Sequence, residues 1–109
     1  MQTIGIVLNV GDDQREAFEA GFRAMEAPIW ADLHDRGTLT MATLTRLDIS
    51  TRKVDAATQY LVVAIFVSEE GHHEHDSDPR FEAWNRQADA YQVAEPIVFG
   101  GDTIVAVGP

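Results

Sequence analysis

A chain of 109 residues with 45% hydrophobic side chains has room for one domain and one core, and it is too apolar to be a disordered polymer. Its formal net charge is −10, and its basic residues are scattered, with Lys53 the only lysine. Nucleic acid and anionic membrane both need clustered Lys and Arg, so neither is expected as a partner, and the absence of cysteine excludes a disulfide scaffold, a thiolate metal site and a cysteine nucleophile.

Thr3 to Val10 alternates Ile4, Ile6, Leu8 and Val10 with Thr3, Gly5, Val7 and Asn9, the period of two that marks a strand. Gly11-Asp12-Asp13 then makes a turn with carboxylates placed to cap a helix. Phe18, Phe22, Met25, Ile29 and Leu33 recur at threes and fours, one stripe of a helix reaching Arg36, and Gly37 stands where helices end. Pro28 lies inside that stretch and predicts a kink or short break near Glu26–Ala27, which turns Ile29 and Trp30 into a distinct orientation.

Thr38 to Ile49 reads as a second strand and the polar stretch 50–57 as a hairpin loop. Thr58 to Ser68 contains the unbroken run Tyr60-Leu-Val-Val-Ala-Ile-Phe-Val67, too short for a buried helix and rich in β-branched residues, hence a third strand. Glu69 to Ser77 reads as a loop carrying His72, His73 and His75. Asp78-Pro79 is a helix start, an acidic cap followed by proline at the first helical position. Phe81, Trp84, Ala88 and Tyr91 form the stripe of that helix, Pro96 closes it, and Ile97 to Val107 is a last strand with a bulge or bend at Gly100-Gly101.

The order is βαββαβ, so residues 1–109 are expected to form a single ferredoxin-like α+β domain: a four-stranded antiparallel sheet with two helices on one face. The open face of such a sheet should be polar, yet strand three is apolar on both sides and strand one adds Val7. Leaving about four large side chains exposed forgoes roughly 1.5–3 kcal/mol each. A second copy of the sheet is the simplest cover, giving a homodimer built as a dimeric α+β barrel around a small-molecule cavity. No apolar run approaches the ~20 residues of a membrane helix and no signal sequence is evident, so the expected location is the cytoplasm.

The element order and length resemble the dimeric α+β barrel superfamily. Ser77-Asp78-Pro79-Arg80-Phe81 with Asn85 and Tyr91 resembles the small aromatic polyketide cyclases of the tetracenomycin type. Ala27-Pro28-Ile29 is similar to a His-Ala-Pro segment of other barrels, with Glu26 standing where those have histidine. The haem-degrading barrels use an Asn, a Trp and a His. Here Asn9 lies late in strand one, but both tryptophans fall on helices rather than on strand three, so haem degradation is not implied. What the resemblance implies is the fold and a class of aromatic or enol-like substrates.

His72, His73, Glu74, His75 and Asp76 form the only dense group of side chains that titrate near neutrality. They suit general acid–base work, or a divalent metal with an open water position, or simply a solvated polar loop before a capped helix. Arg46, on the strand face of Leu44 and Ala42, could meet an anionic ligand or pair at the strand end with Asp48 or Asp55. Asn9 and Tyr60 could orient a ligand or be satisfied strand residues, and Trp30 and Trp84 could be core, interface or stacking surfaces. No nucleotide-binding fingerprint or nucleophile elbow occurs. The leading expectation is a cofactor-independent cyclase, isomerase or monooxygenase, with His72, His73 or His75 as acid–base and Arg46 or Asn9 polarising a substrate oxygen. The alternatives are a non-catalytic ligand-binding or structural homodimer, and a metal-dependent enzyme built on residues 72–76.

Overall fold

The alternating segment near the N-terminus forms β1 (Gln2–Gly11), and its register with its neighbours sets the two faces of the sheet. The structure, a computed structural model, describes residues 1–108. β1 pairs antiparallel with β3 (Ala57–Phe66) on one side and β4 (Gln92–Asp102) on the other. β2 (Leu39–Arg46) completes the sheet outside β3, in the order β2-β3-β1-β4. This is the ferredoxin-like topology expected from the order of elements.

Ile4, Ile6 and Leu8 stand opposite Ala64, Val62 and Tyr60, so all six side chains share one face. The helices cover that face in two adjoining clusters. Val10, Tyr60 and Val62 pack with Phe18, Phe22, Trp84 and Ala88, while Ala64 and Phe66 pack with Ile29, Leu33 and Leu39. The other face carries Val7, Leu61, Val63 and Ile65, in register with one another and with Ile97 on β4. Met41, Ile97 and Phe99 on that side remain about half exposed (49%, 46% and 52%). Gly5 belongs to this face, and the Phe99 ring lies over it so closely that a Cβ would collide with Phe99 Cε2.

The first helical segment is broken where the proline predicts. α1 (Arg15–Gly21) runs into a π-helical turn, Phe22–Glu26, and then into α2 (Ala27–Asp35). The Ala27 amide donates to the Phe22 carbonyl, five residues back, so the chain widens by one residue just before the ring of Pro28. Gly37, at φ +76°, ends α2 in the left-handed region. The widened turn keeps Phe22, Glu26, Ile29 and Leu33 all buried beneath the helix.

Three expectations are corrected. The stretch read as a histidine loop is a helix, α3 (Glu69–Asp76), with Glu69 and Glu70 in its first turn and His73 and His75 in its last, which matches the helix dipole. It carries no apolar stripe, so periodicity could not reveal it; Gly71 provides its close approach to the body, where a Cβ would lie 2.8 Å from Thr38 Cγ2. Pro96 does not close the second long helix: α4 (Pro79–Asp89) ends seven residues earlier, and Pro96 lies inside β4. There β4 is an edge strand, and the pairing jumps from Val7–Ile97 to Asn9–Ala94, a bulge that tolerates a residue without an amide hydrogen. The bulge is therefore at Glu95–Pro96, while Gly100 and Gly101 pair regularly with Ile4 and Thr3. Gly100 is small because a Cβ would meet Ile4 Cδ1 at 2.6 Å. Among the described residues no helix is long and apolar enough to cross a membrane.

Candidate functional site

A cavity of about 400 Å³ lies between the sheet and the helices, within the range of roughly 300–1,000 Å³ typical of small-ligand sites. Ile4, Ile6, Leu8, Val62 and Ala64 form its floor, and Phe22, Trp30, Phe81 and Trp84 its aromatic walls. Exposed Asn85 and Val98 mark its open side along α4 and the β4 edge. Its polar lining is confined to Glu26, His72, His75, Asp76, Asn85 and Gln92.

Glu26 and His75 form the buried ionic unit of this cavity. They are 4% and 7% exposed, and His75 Nε2 lies 2.5 Å from Glu26 Oε1. His75 Nδ1 meets Asp76 Oδ1 at 2.9 Å, so both ring nitrogens face carboxylates. Burial is the strongest single influence on His75 and opposes its charge. The hydrogen bonds and charges of Glu26 and Asp76 together outweigh it and hold the imidazole pKa above its ordinary value. Asp76 extends the chain of contacts, its Oδ2 lying 3.0 Å from His72 Nε2, and His72 Nδ1 lies 3.1 Å from Gln2 Oε1. Phe81 and Phe66 hold the His75 ring from its sides, at centroid distances of 4.3 and 6.1 Å.

Of the residues singled out from sequence, His72, His75, Trp30 and Trp84 line this cavity. Trp84 is also core, 3% exposed and packed on Phe18, Phe22 and Tyr91. The other four lie elsewhere. His73 is on the outer side of α3, its side chain 74% exposed and 3.9 Å from Glu69. Arg46 is an exposed strand-end residue, but its partner is Glu19 on α1 rather than Asp48 or Asp55, bound through Nε (2.9 Å) and Nη2 (2.7 Å). The Tyr60 hydroxyl donates to the same carboxylate at 2.5 Å. Burial first, and then that bond, push the Tyr60 phenol up to about 12, while the Arg46 hydrogen bond holds Glu19 below the usual carboxylate range. Asn9 is buried toward the opposite face, donating to the Glu95 carbonyl and accepting from Gln59 Nε2 at 2.9 Å. Among the described residues no three His, Asp or Glu side chains converge as a metal-binding group.

Glu26 and Gln92 are the lining residues that sequence reasoning did not select. Glu26 was legible: it follows Phe22 by four and precedes Ile29 by three, so it falls on the apolar stripe, where an acidic residue must be buried. Nothing in the sequence around Gln92 carries such a signal.

No family model matches the chain, and no curated protein matches it in sequence. Solved structures share its fold over nearly the whole chain. A Nitrosomonas europaea protein proposed as an antibiotic biosynthesis monooxygenase superposes with a TM-score of 0.77 at 10% identity, covering 96% of this chain and 100% of that one. SnoaB, a cofactor-independent oxygenase from Streptomyces nogalater, gives a TM-score of 0.67 at 14% identity, covering 99% and 97%. HapK from Hahella chejuensis gives 0.71 at 15% identity, covering 100% and 98%. At such identities the likeness establishes the fold, a ferredoxin-like α+β unit, and leaves the chemistry to the site.

Proposed function

We propose that this chain is a cofactor-independent enzyme that takes the proton from a phenolic or enolic hydroxyl of a small, largely apolar substrate held in the cavity. The observation that carries the proposal is the Glu26–His75 pair: a carboxylate and an imidazole buried together in the wall of an apolar cavity, with Glu26 Oε2 left without a hydrogen-bond partner among the described residues. Such a pair contributes little to stability compared with an apolar one, and perturbed titrating groups in a cleft are a mark of function. Glu26 is the acid–base residue in this reading, and His75 is the positioning residue that fixes its other oxygen.

The substrate O–H proton passes to Glu26 Oε2, and its electron pair stays on the substrate as a phenolate or enolate. The protonated Glu26 then donates a hydrogen bond to that oxygen, stabilising the anion in a site of low dielectric. Return of the proton to carbon is an isomerisation, attack of the carbon on a carbonyl is a cyclisation, and reaction of the carbanionic position with dioxygen, the oxidant, is an oxygenation. SnoaB, a cofactor-independent oxygenase on the same fold, supports the last of these outcomes.

The functional unit in this proposal is a homodimer joined through the uncovered sheet face. Val7, Leu61, Val63 and Ile65 form its centre, and Met41, Ile97 and Phe99 extend it, an apolar area that a second sheet would remove from water. Beyond β4, Ile104, Val105 and Val107 are 91%, 79% and 98% exposed and are further apolar surface for the same partner.

The test uses 1,3-dihydroxynaphthalene, whose ring C–H between the hydroxyls exchanges with deuterated water through the anion. The wild-type chain should accelerate that exchange by about 100-fold or more over buffer, and Glu26→Gln should abolish the acceleration while calorimetry still shows the probe bound. Equal exchange in wild type and Glu26→Gln refutes the proposal.

A further inference from the structure

The polar atoms of the cavity are almost all committed to one another. Both nitrogens of His75 face carboxylates, Asp76 uses one oxygen on His75 and the other on His72, and the second nitrogen of His72 faces Gln2. Asn85 lies at the exposed side. Among the described residues only two buried side-chain polar atoms have no hydrogen-bond partner, Glu26 Oε2 and Gln92 Oε1, and both residues line this one cavity. Buried polar atoms in folded chains are satisfied as a rule, so two orphans in the wall of a single apolar cavity point to a ligand that satisfies them. Glu26 comes from the helix side and Gln92 from the start of β4, beside Val10. The Gln92 amide nitrogen donates to Asp89 Oδ1 at 3.4 Å, so the buried oxygen is the atom of this amide left to be satisfied.

Both orphans are acceptors when Glu26 is ionised. We infer that Gln92 is the second polar anchor of this site, and that the cavity selects ligands carrying two hydrogen-bond donors on one apolar body, one for Glu26 and one for Gln92. The inference rests on the role given to Glu26 above and adds the substrate class: dihydroxylated aromatic compounds or their amino-hydroxy equivalents, rather than ketones, carboxylates or mono-ols. A carboxylate or bare carbonyl at the Gln92 position would meet another acceptor and bring no donor to it. A ligand with one hydroxyl would leave Gln92 Oε1 desolvated and unpaired, the unfavourable case for any buried acceptor. Selectivity by an unpaired group in the wall is stronger than selectivity by shape, since an apolar pocket discriminates weakly against an isostere.

The experiment compares 1-naphthol with the 1,3-, 1,5-, 1,6- and 2,7-dihydroxynaphthalenes by calorimetry, on the wild-type chain and on Gln92→Met and Gln92→Glu. Wild type should bind at least one diol about tenfold more tightly than 1-naphthol. Gln92→Met should bring that diol and 1-naphthol to equal affinity, and Gln92→Glu, which keeps an acceptor at the position, should restore the preference. Thermal unfolding of both variants shows whether any loss comes from the fold instead, and a Gln92→Glu chain that folds but still treats the two probes alike overturns the inference. If wild type binds 1-naphthol and every diol alike, Gln92 is not an anchor, while the Glu26 reading stands on its exchange assay. If no naphthalene probe binds at all, both readings fall together.

Discussion

Replacing His75 with leucine, alone and together with Glu26→Leu, tests whether the cavity wall holds a buried ionic unit. Glu26 and His75 are 4% and 7% exposed and lie 2.5 Å apart, and among the described residues His75 is the only partner of the Glu26 side chain. His75→Leu therefore leaves a buried carboxylate with no compensating group, which costs about 3–5 kcal/mol. Glu26→Leu should cost less, about 1–3 kcal/mol, because His75 keeps its hydrogen bond to Asp76, whose side chain is 47% exposed. The double variant leaves neither charge unpaired and adds apolar volume beside Phe66 and Phe81, so it should regain at least about 2 kcal/mol over His75→Leu. Urea denaturation at neutral pH measures all three against wild type. Double-variant losses equal to the sum of the single losses would show that the two side chains do not act as a pair and would refute Glu26–His75 as the ionic unit of the cavity. If the reasoning holds, the double variant is as stable as wild type yet inert in the proton-exchange assay, which separates a site kept for function from one kept for folding.

The same pair sets a pH dependence. Because Glu26 and Asp76 hold the His75 pKa above its ordinary 6.5, its stabilising contribution is complete below that value and fades as pH rises through the raised pKa. The stability of wild type relative to the double variant should thus fall as pH rises above about 6.5, and a relative stability that rises instead contradicts the assignment. Gly21→Ala should destabilise by about 1–3 kcal/mol in thermal or urea unfolding, although alanine is the better helix former, since its Cβ would lie 2.7 Å from Trp84 Cζ3 and Phe18, Phe22 and Tyr91 hold that ring in place. The Asp78 carboxylate accepts from the Arg80 amide at 2.8 Å, so Asp78→Ala should cost about 0.5–2 kcal/mol, while Trp84→Ala should cost about 3–5 kcal/mol by opening the core. Val63→Lys, on the uncovered sheet face, should turn a species sedimenting at twice the 12.0 kDa chain mass into a folded monomer. A wild-type chain that is monomeric at micromolar concentration removes the dimer from the proposal.

Local patterns in the sequence carried the frame of this protein. The alternation of Ile4, Ile6 and Leu8 set the buried face of β1, the two-sided apolarity of β3 announced an uncovered sheet face, and Asp78-Pro79 placed the start of α4 at its observed position. Pro28 foretold the break in the first helix, though not its form as a π-helical turn. These features are legible because each depends on neighbours within one or two turns of chain. α3 was not legible, since a helix with one buried imidazole and a glycine leaves no apolar period, and without that helix nothing distinguished inward His72 and His75 from outward His73. The separation of Arg46 and Tyr60 from the cavity was equally hidden, because Glu19, which claims both, sits on another element. Glu26 and His75 lie 49 positions apart, and the orphaned oxygen of Gln92 comes from a third element. Spacing tells which residues of one element share a face; which faces meet, and which polar groups are left unpaired when they do, is decided only when the elements pack.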